Sequence, residues 1–445
     1  MASLTVARSA LTMAAIAGVA ACRAPVSEPL EEAEDLVQGL QVTPVPSMPT
    51  VLDVSWTTTL PVQSRLIYGV DGLLDRATPQ LDAPATEHQV RIVGLPPESV
   101  VSVAPESDGL RADILAVETG PLPLALTPAA VAGGAQDRFL TTGLSTETSA
   151  TVAVLDRSGR VSWVHADARG LSVIRARPSL DGTGIWYAAT SPTPSAETAL
   201  VHVAWDGTED IVLPVADLAN DFVELADGTL VAVRHEIRDG VVGNDIVQVD
   251  AAGTTTPIWS TWDCFDPVQH PGTDPELGWS SANALDADEA TGLYWLGLSN
   301  LGTITAVDTT SRSCPLAFGG AAGTVAIDGA TFSGQSQFEW AGDNLLVFDN
   351  AGDPAGTSRA IDYAFDEASA VASEVAIFDA NPPLTSARLG DVHRTDGGAT
   401  LVTWSDSAVV ERYDTAGAKV WRLEWNGPEA FGFMTATPTL DAVAP

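Results

Sequence analysis

From about residue 40 to the end of the chain, short runs alternate apolar and polar residues and are cut by turns rich in Gly, Pro and Asp. Alternation with a period of two marks a strand with one face covered, whereas a helix would repeat its apolar residues every three or four positions. Val54-Ser55-Trp56, Arg65-Leu66-Ile67-Tyr68, "EHQVRIVGLPPESVVSVAPES" and "ADILAVETGPLP" form a first group of such runs. Their lengths and turns predict a β-sandwich over residues 40–119. "GPLPLALTPAA" (120–130) reads as a hinge-like boundary.

Over residues 130–445 one unit recurs: strand, Asp/Gly turn, apolar strand, polar stretch, strand, second Asp/Gly turn, Trp-bearing strand. "DFVELADGTLVAVRHEIRDGVVGNDIVQVDAAGTTTPIWSTW" (221–262) and "DVHRTDGGATLVTWSDSAVVERYDTAGAKVWRLEW" (391–425) are the clearest copies. Three looser copies begin near Arg175, Asn283 and Gln337, and "ATVAVLDRSGRVSWVHA" (150–166) supplies the second half of another. The first turn falls at Gly182, Gly228, Gly292, Gly342 and Gly397, a spacing of about 45 to 64 residues. Four strands repeated at that period make a β-propeller blade, and the copies add up to about six. The expected fold is therefore all-β: a six-bladed β-propeller preceded by a β-sandwich. In such a ring the inner strands line a channel, so the residues that open them meet at one mouth.

Composition agrees and adds a charge. The 38 Gly and 29 Pro among 445 residues favour turns over helical bundles, and the 12 Trp suit the cores between blades. Against 58 acidic residues stand 21 basic ones, a net charge of −37. That field repels phosphate backbones and anionic lipid, so nucleic acid is excluded as a partner.

The N-terminus changes the picture again. "MASLTVARSALTMAAIAGVAACRAP" has Arg8, an apolar run from Leu11, and small residues before Cys22. Residues 1–22 resemble a bacterial signal peptide with a lipobox, in which Cys22 becomes the lipidated N-terminus. The run is too short to read as a spanning helix. The acidic, Pro-bearing segment 23–39 reads as a tether. The expectation is an exported protein, lipid-anchored in the cell envelope at the outer membrane or cell surface. In an oxidising compartment the two remaining cysteines, Cys264 and Cys314, are expected to form a disulfide.

The Trp strand, the Tyr strand and the "VRIVGLP" strand of the first group resemble the fibronectin type III arrangement. "NDFVELADGTLVAV", "WSSANALDADEATGLYWLGLSNLGTITAVD", "SGQSQFEWAGDNLLVFDNAGD" and "GDVHRTDGGATLVTW" together resemble the bacterial arylsulfotransferases, which work without PAPS. The resemblance covers roughly 130–440. It implies a secreted six-bladed propeller that moves a sulfuryl group from an aryl sulfate to a phenol through a sulfo-histidine. That chemistry needs a neutral imidazole nucleophile and cationic donors around the sulfuryl oxygens.

The matching positions lack those groups. Ser336 stands at the nucleophile position after Gln335, and Asn220 at a histidine position. Ser281-Ala282-Asn283 replaces His-x-Asn, and Ser299 replaces an arginine. Asp221, Phe222, Asp349, Asn350, Ser358 and Arg359 are kept. His393, opening the last inner strand, is the remaining candidate for a relocated base or nucleophile. Among the alternatives, "DNAGDP" (349–354) lacks the full run of oxygen ligands for calcium, and "FGGAAGTV" lacks the features of a phosphate loop. No metal and no cofactor is expected. Two readings follow: a non-catalytic propeller whose channel mouth (Asn220, Ser281, Asn283, Ser299, Gln335, Ser336) binds a small aromatic or sulfated ligand, or an active sulfotransferase using His393. Either would be a monomer or a weak oligomer.

Overall fold

Along the strand Leu230–Arg238, Leu230 and Ala232 pack on one neighbouring sheet, Val231 and Val233 on the other. Successive side chains of a strand point to opposite faces, so a strand buried on both sides requires an unbroken apolar run. The same split separates Leu345 and Val347 from Leu346 and Phe348, and Val152 and Val154 from Ala153 and Leu155.

The computed structural model describes residues 36–81, 83–146, 149–274, 278–350 and 356–440. Six sheets of four or five strands follow one another among the described residues of the larger domain. Blade 1 is Ser172–Pro178, Gly184–Thr190, Ala199–Ala204 and Glu209–Pro214. Blade 2 is Leu218–Glu224, Leu230–Arg238, Val241–Val249 and Thr255–Ser260. Blade 3 is Ala282–Asp288, Leu293–Leu298, Thr303–Asp308 and Ala317–Phe318. Blade 4 is Phe338–Ala341, Asn344–Asp349, Arg359–Asp366 and Val371–Asp379, with Ala326–Asp328 added in parallel at its edge. Blade 5 is Asp391–Arg394, Thr400–Trp404, Val409–Tyr413 and Lys419–Glu424, edged by Ala130–Gly133. In blade 6, Ala430–Phe431 and Thr435–Thr437 from the C-terminal end pair with Phe139–Ser145, followed by Ala150–Leu155 and Val161–Asp167.

A separate apolar cluster fills each junction from blade 1 to blade 6, and another joins blade 6 to blade 1. The ring is closed, and the domain is a β-propeller. Closure by strands from both ends explains why only part of the sixth unit is visible as a contiguous repeat. The first turns take the left-handed backbone at Gly182, Gly228, Gly292 and Gly342; in blade 5 that residue is Gly398, one past the expected Gly397.

The N-terminal unit is a sandwich of two sheets. Val37–Val45, Met48–Val62 and Ala85–Ile92 face a sheet built on Ser64–Val70 and Val100–Ser107. Leu52, Val54, Trp56, Leu66, Tyr68 and Val103 make its core. Two expectations change. The first strand begins inside the segment read as tether, because Leu36 and Val37 are buried. Nor does the hinge-like boundary at 120–130 leave the sandwich apart from the propeller: Val45, Met48, Val51 and Val93 share a core with Phe139, Trp163 and Trp205 of the propeller. Cys22 lies outside the described residues.

Cys264 and Cys314 form a disulfide, as expected. Cys264 follows the outer strand of blade 2, and Cys314 precedes the outer strand of blade 3, so the bond ties two adjacent blades at their rims. It closes a loop with a sequence separation of 50. Cys264→Ser is expected to lower unfolding stability by about 2–4 kcal/mol. A denaturation midpoint that does not move, in the variant or in reductant, would contradict this.

Candidate functional site

The inner strands of the propeller carry charged residues in an otherwise apolar ring. Irregularities in pairing place them: register shifts fall between Val173 and Arg175, Leu218 and Phe222, and Ala282 and Ala284. An extra residue on one strand re-aims side chains next to it, and these shifts sit beside Arg175, Asp221 and Asn283.

Arg175 is the hub. Its Nε and Nη2 donate to Asp221 Oδ1 and Oδ2 at 2.9 and 3.3 Å, and its Nη1 donates to Asp391 Oδ2 at 3.2 Å. The guanidinium lies over the Phe433 ring, 4.7 Å from its centroid. All three charged side chains are buried. Asp221 also accepts from Arg177 Nη2 at 3.2 Å, Leu285 N at 3.0 Å and Gln337 Nε2 at 3.1 Å. Burial alone would raise the Asp221 pKa, but the charges of Arg175 and Arg177 outweigh it and hold the carboxyl below its usual range. Asp391 accepts from the backbone N–H groups of Val392 and Met434.

His393 sits beside this hub. Its Nδ1 is 2.6 Å from Glu339 Oε2, and its Nε2 faces Asp391 Oδ1 at 3.5 Å and the Met434 carbonyl. Burial favours the neutral ring, but the Asp391 charge and the bonds to Asp391 and Glu339 push the imidazole up to about 10. At neutral pH it is an imidazolium, a donor at both nitrogens with no lone pair for attack or proton abstraction. The expected relocated base or nucleophile is thus a cation in a carboxylate clamp.

The other expected residues divide in two. Asn220 Nδ2 donates to Ala282 O at 3.1 Å, Asn283 Nδ2 to Gln335 O at 2.8 Å, and Ser299 Oγ to Ser281 O at 3.0 Å. The structure therefore joins Asn220, Ser281, Asn283, Ser299 and Gln335 across blades 2, 3 and 4. Ser336 is committed elsewhere: it is buried, and its Oγ donates to Leu389 O at 2.8 Å. Of the kept residues, Arg359 bonds Asp349 at 3.1 Å and the Thr331 carbonyl, and Asn350 and Ser358 bond the 386–389 loop. They brace the turn rather than the channel.

Sequence reasoning missed Arg175, Arg177, Gln337 and Glu339. A signal was present: "IRARP" puts two arginines, two positions apart and so on one face, on a strand that opens a repeat.

No family model matches the chain, and no curated protein does. Solved structures that resemble it include a protein of unknown function from Bacteroides caccae, with a TM-score of 0.46, 11% identity, and coverage of 67% of this chain and 98% of that one. The β-propeller domain of Cps50 (Swd1) from Myceliophteria thermophila gives a TM-score of 0.42 at 12% identity over 69% of this chain and 88% of that one. Virginiamycin B lyase from Staphylococcus aureus gives 0.38 at 12% identity over 74% and 92%. What is shared is the fold alone.

At the closing ends of the inner strands the ring opens into a cleft of about 120 Å³. Blade 1 supplies Arg177, Leu180 and Trp186, blade 2 Phe222 and Glu224, and blade 3 Asp286. Here, unlike in the channel core, aromatic surface and carboxylates border open space.

Proposed function

We propose that this chain is an exported, lipid-tethered propeller of arylsulfotransferase-like layout that binds a ligand at the cell envelope and carries out no sulfuryl transfer. The observation that carries this reading is the occupation of the channel by Arg175, Asp221, Asp391 and His393, paired with one another. A sulfuryl acceptor must offer a lone pair, and donors must be free to follow charge onto the sulfate oxygens. His393 is protonated, Arg175 is saturated by two carboxylates, and the Ser336 hydroxyl is spent on a carbonyl. A net charge of −37 adds repulsion toward any sulfate ester.

The test uses purified protein with a chromogenic aryl sulfate and a phenol acceptor. No turnover is expected from the natural chain or from His393→Ala. Turnover that disappears in His393→Ala would overturn the reading in favour of an active sulfotransferase. The anchor has its own test: Cys22→Ser is expected to move the protein from the membrane fraction to the soluble one, and a protein still sedimenting with membranes would count against the lipobox.

A further inference from the structure

The chain has eight asparagines, and only Asn426 is followed by glycine. Asn244, Asn283, Asn300 and Asn350 are buried, and Asn220 and Asn344 lie within strands. Of the two that are exposed, Asn381 precedes a proline, which has no N–H, and Asn426 precedes Gly427. Asn426 and Gly427 lie outside the strands, between Lys419–Glu424 of blade 5 and the closing strand Ala430–Phe431. Among the described residues the Gly427 N–H donates no hydrogen bond.

The contacts around this pair fix its place. Asn426 Nδ2 donates to the Pro128 carbonyl at 2.9 Å. That bond continues the pairing of Lys419–Glu424 with Ala130–Gly133, whose last partners are Glu424 and Ala130. Ala130–Gly133 is exposed along its length, so backbone pairing is its main hold on blade 5. On the other side Trp425 Nε1 donates to Glu429 Oε2 at 2.9 Å, and a side chain at 427 would run into both groups. Glycine is therefore the residue this turn admits, and it sets the least hindered backbone nitrogen beside an exposed amide.

We propose that Asn426 is a site of spontaneous deamidation and that its conversion loosens Ala130–Gly133 from blade 5. Hydroxide takes the Gly427 N–H proton, and the nitrogen attacks Asn426 Cγ. The adduct expels the side-chain nitrogen as ammonia, which carries, in net, the proton Gly427 lost, and a succinimide ring remains. Water then adds to one of the two ring carbonyls, and that C–N bond breaks with a proton returned to nitrogen. The product is aspartate, or isoaspartate in which the chain runs through the former side-chain carbon. Either product removes the N–H donor that faces the Pro128 carbonyl and adds a carboxylate between Glu424 and Glu429, in a chain already at −37. Isoaspartate also lengthens the backbone where it leads into the closing strand.

The test incubates the full protein at mildly alkaline pH and follows the tryptic peptide that begins at Leu423, since no Lys or Arg comes after Arg422. Relative to protein digested without incubation, that peptide should gain the mass difference between an amide and a carboxyl. Isoaspartate in it should be labelled by an isoaspartyl methyltransferase, and the other asparagine peptides should stay unchanged. The gain should be absent in Asn426→Gln, whose longer side chain closes a less favourable ring, and in protein kept mildly acidic. Hydrogen exchange of the Ala130–Gly133 amides should run about threefold to tenfold faster in Asn426→Asp and in aged protein, the effect of one lost hydrogen bond. Exchange in Phe139–Ser145 should not change. A peptide that stays unmodified in the folded protein, or equal modification at another asparagine, overturns the site. Unchanged exchange at Ala130–Gly133 in both Asn426→Asp and the aged protein overturns the loosening.

Discussion

Arg175→Met is expected to destabilise the protein by about 3–5 kcal/mol, measured by denaturant unfolding at pH 7. The size follows from what is left behind. Asp221 and Asp391 are fully buried and lose the guanidinium that bridges them at 2.9 and 3.2 Å. Each is then a desolvated charge with backbone N–H groups but without its main counter-ion. Methionine keeps much of the arginine's length against Phe433, so lost packing is the smaller part. The triple variant Arg175→Met, Asp221→Asn, Asp391→Asn should recover a large share of the loss, because removing all partners removes the uncompensated charge. A single variant within about 1 kcal/mol of the natural chain would show that the hub is not under electrostatic load.

The second large effect is a dependence on pH. The His393 pKa lies near 10 in the folded protein against an ordinary 6.5, so the folded state holds the proton more tightly than the unfolded one. That contribution is complete below about pH 6.5 and is lost as pH rises through 10. Asp221 has the opposite sense: its folded value is depressed, so its contribution is present above the ordinary carboxylate range and is lost in acid. Stability should therefore fall by about 3–5 kcal/mol between pH 6.5 and 10.5 through His393. In His393→Gln that alkaline slope should flatten, with lower stability at neutral pH. An equal alkaline slope in the variant would contradict the carboxylate clamp. The same measurement bears on function, since a histidine that titrates near 10 is not a general base at neutral pH.

The two effects share a cause that local sequence does not display. Asn220 and Asp221 are neighbours in "LANDFVE", yet Asn220 bonds a backbone carbonyl of blade 3 while Asp221 carries the charge of the hub. Ser336 in "GQSQF" occupies the position where the resemblance places a nucleophile, but the loop ending at Leu389 takes up its hydroxyl. His393 invited a catalytic reading because it opens an inner strand. That placement is right, and its protonation follows first from Asp391 on the same strand and then from Glu339 on the adjacent blade, 54 residues away.

The sequence by itself determined the strands, the turns, the blade repeat and the sandwich before it. These rest on period-two alternation in the sandwich, on short apolar runs in the blades and on left-handed turn residues, which are local properties of a few adjacent positions. Two cysteines left over in a chain read as exported were enough to expect the disulfide. Only the tertiary structure decided which polar residues meet in the channel, because Arg175 reaches Asp221 over 46 residues and Asp391 over 216, distances that ring closure alone spans. It also decided that the C-terminal residues complete the blade begun at Phe139, that the sandwich shares a core with the propeller, and that Glu339 closes the clamp on His393. Each of these depends on partners far away in sequence, whose meeting no local pattern encodes.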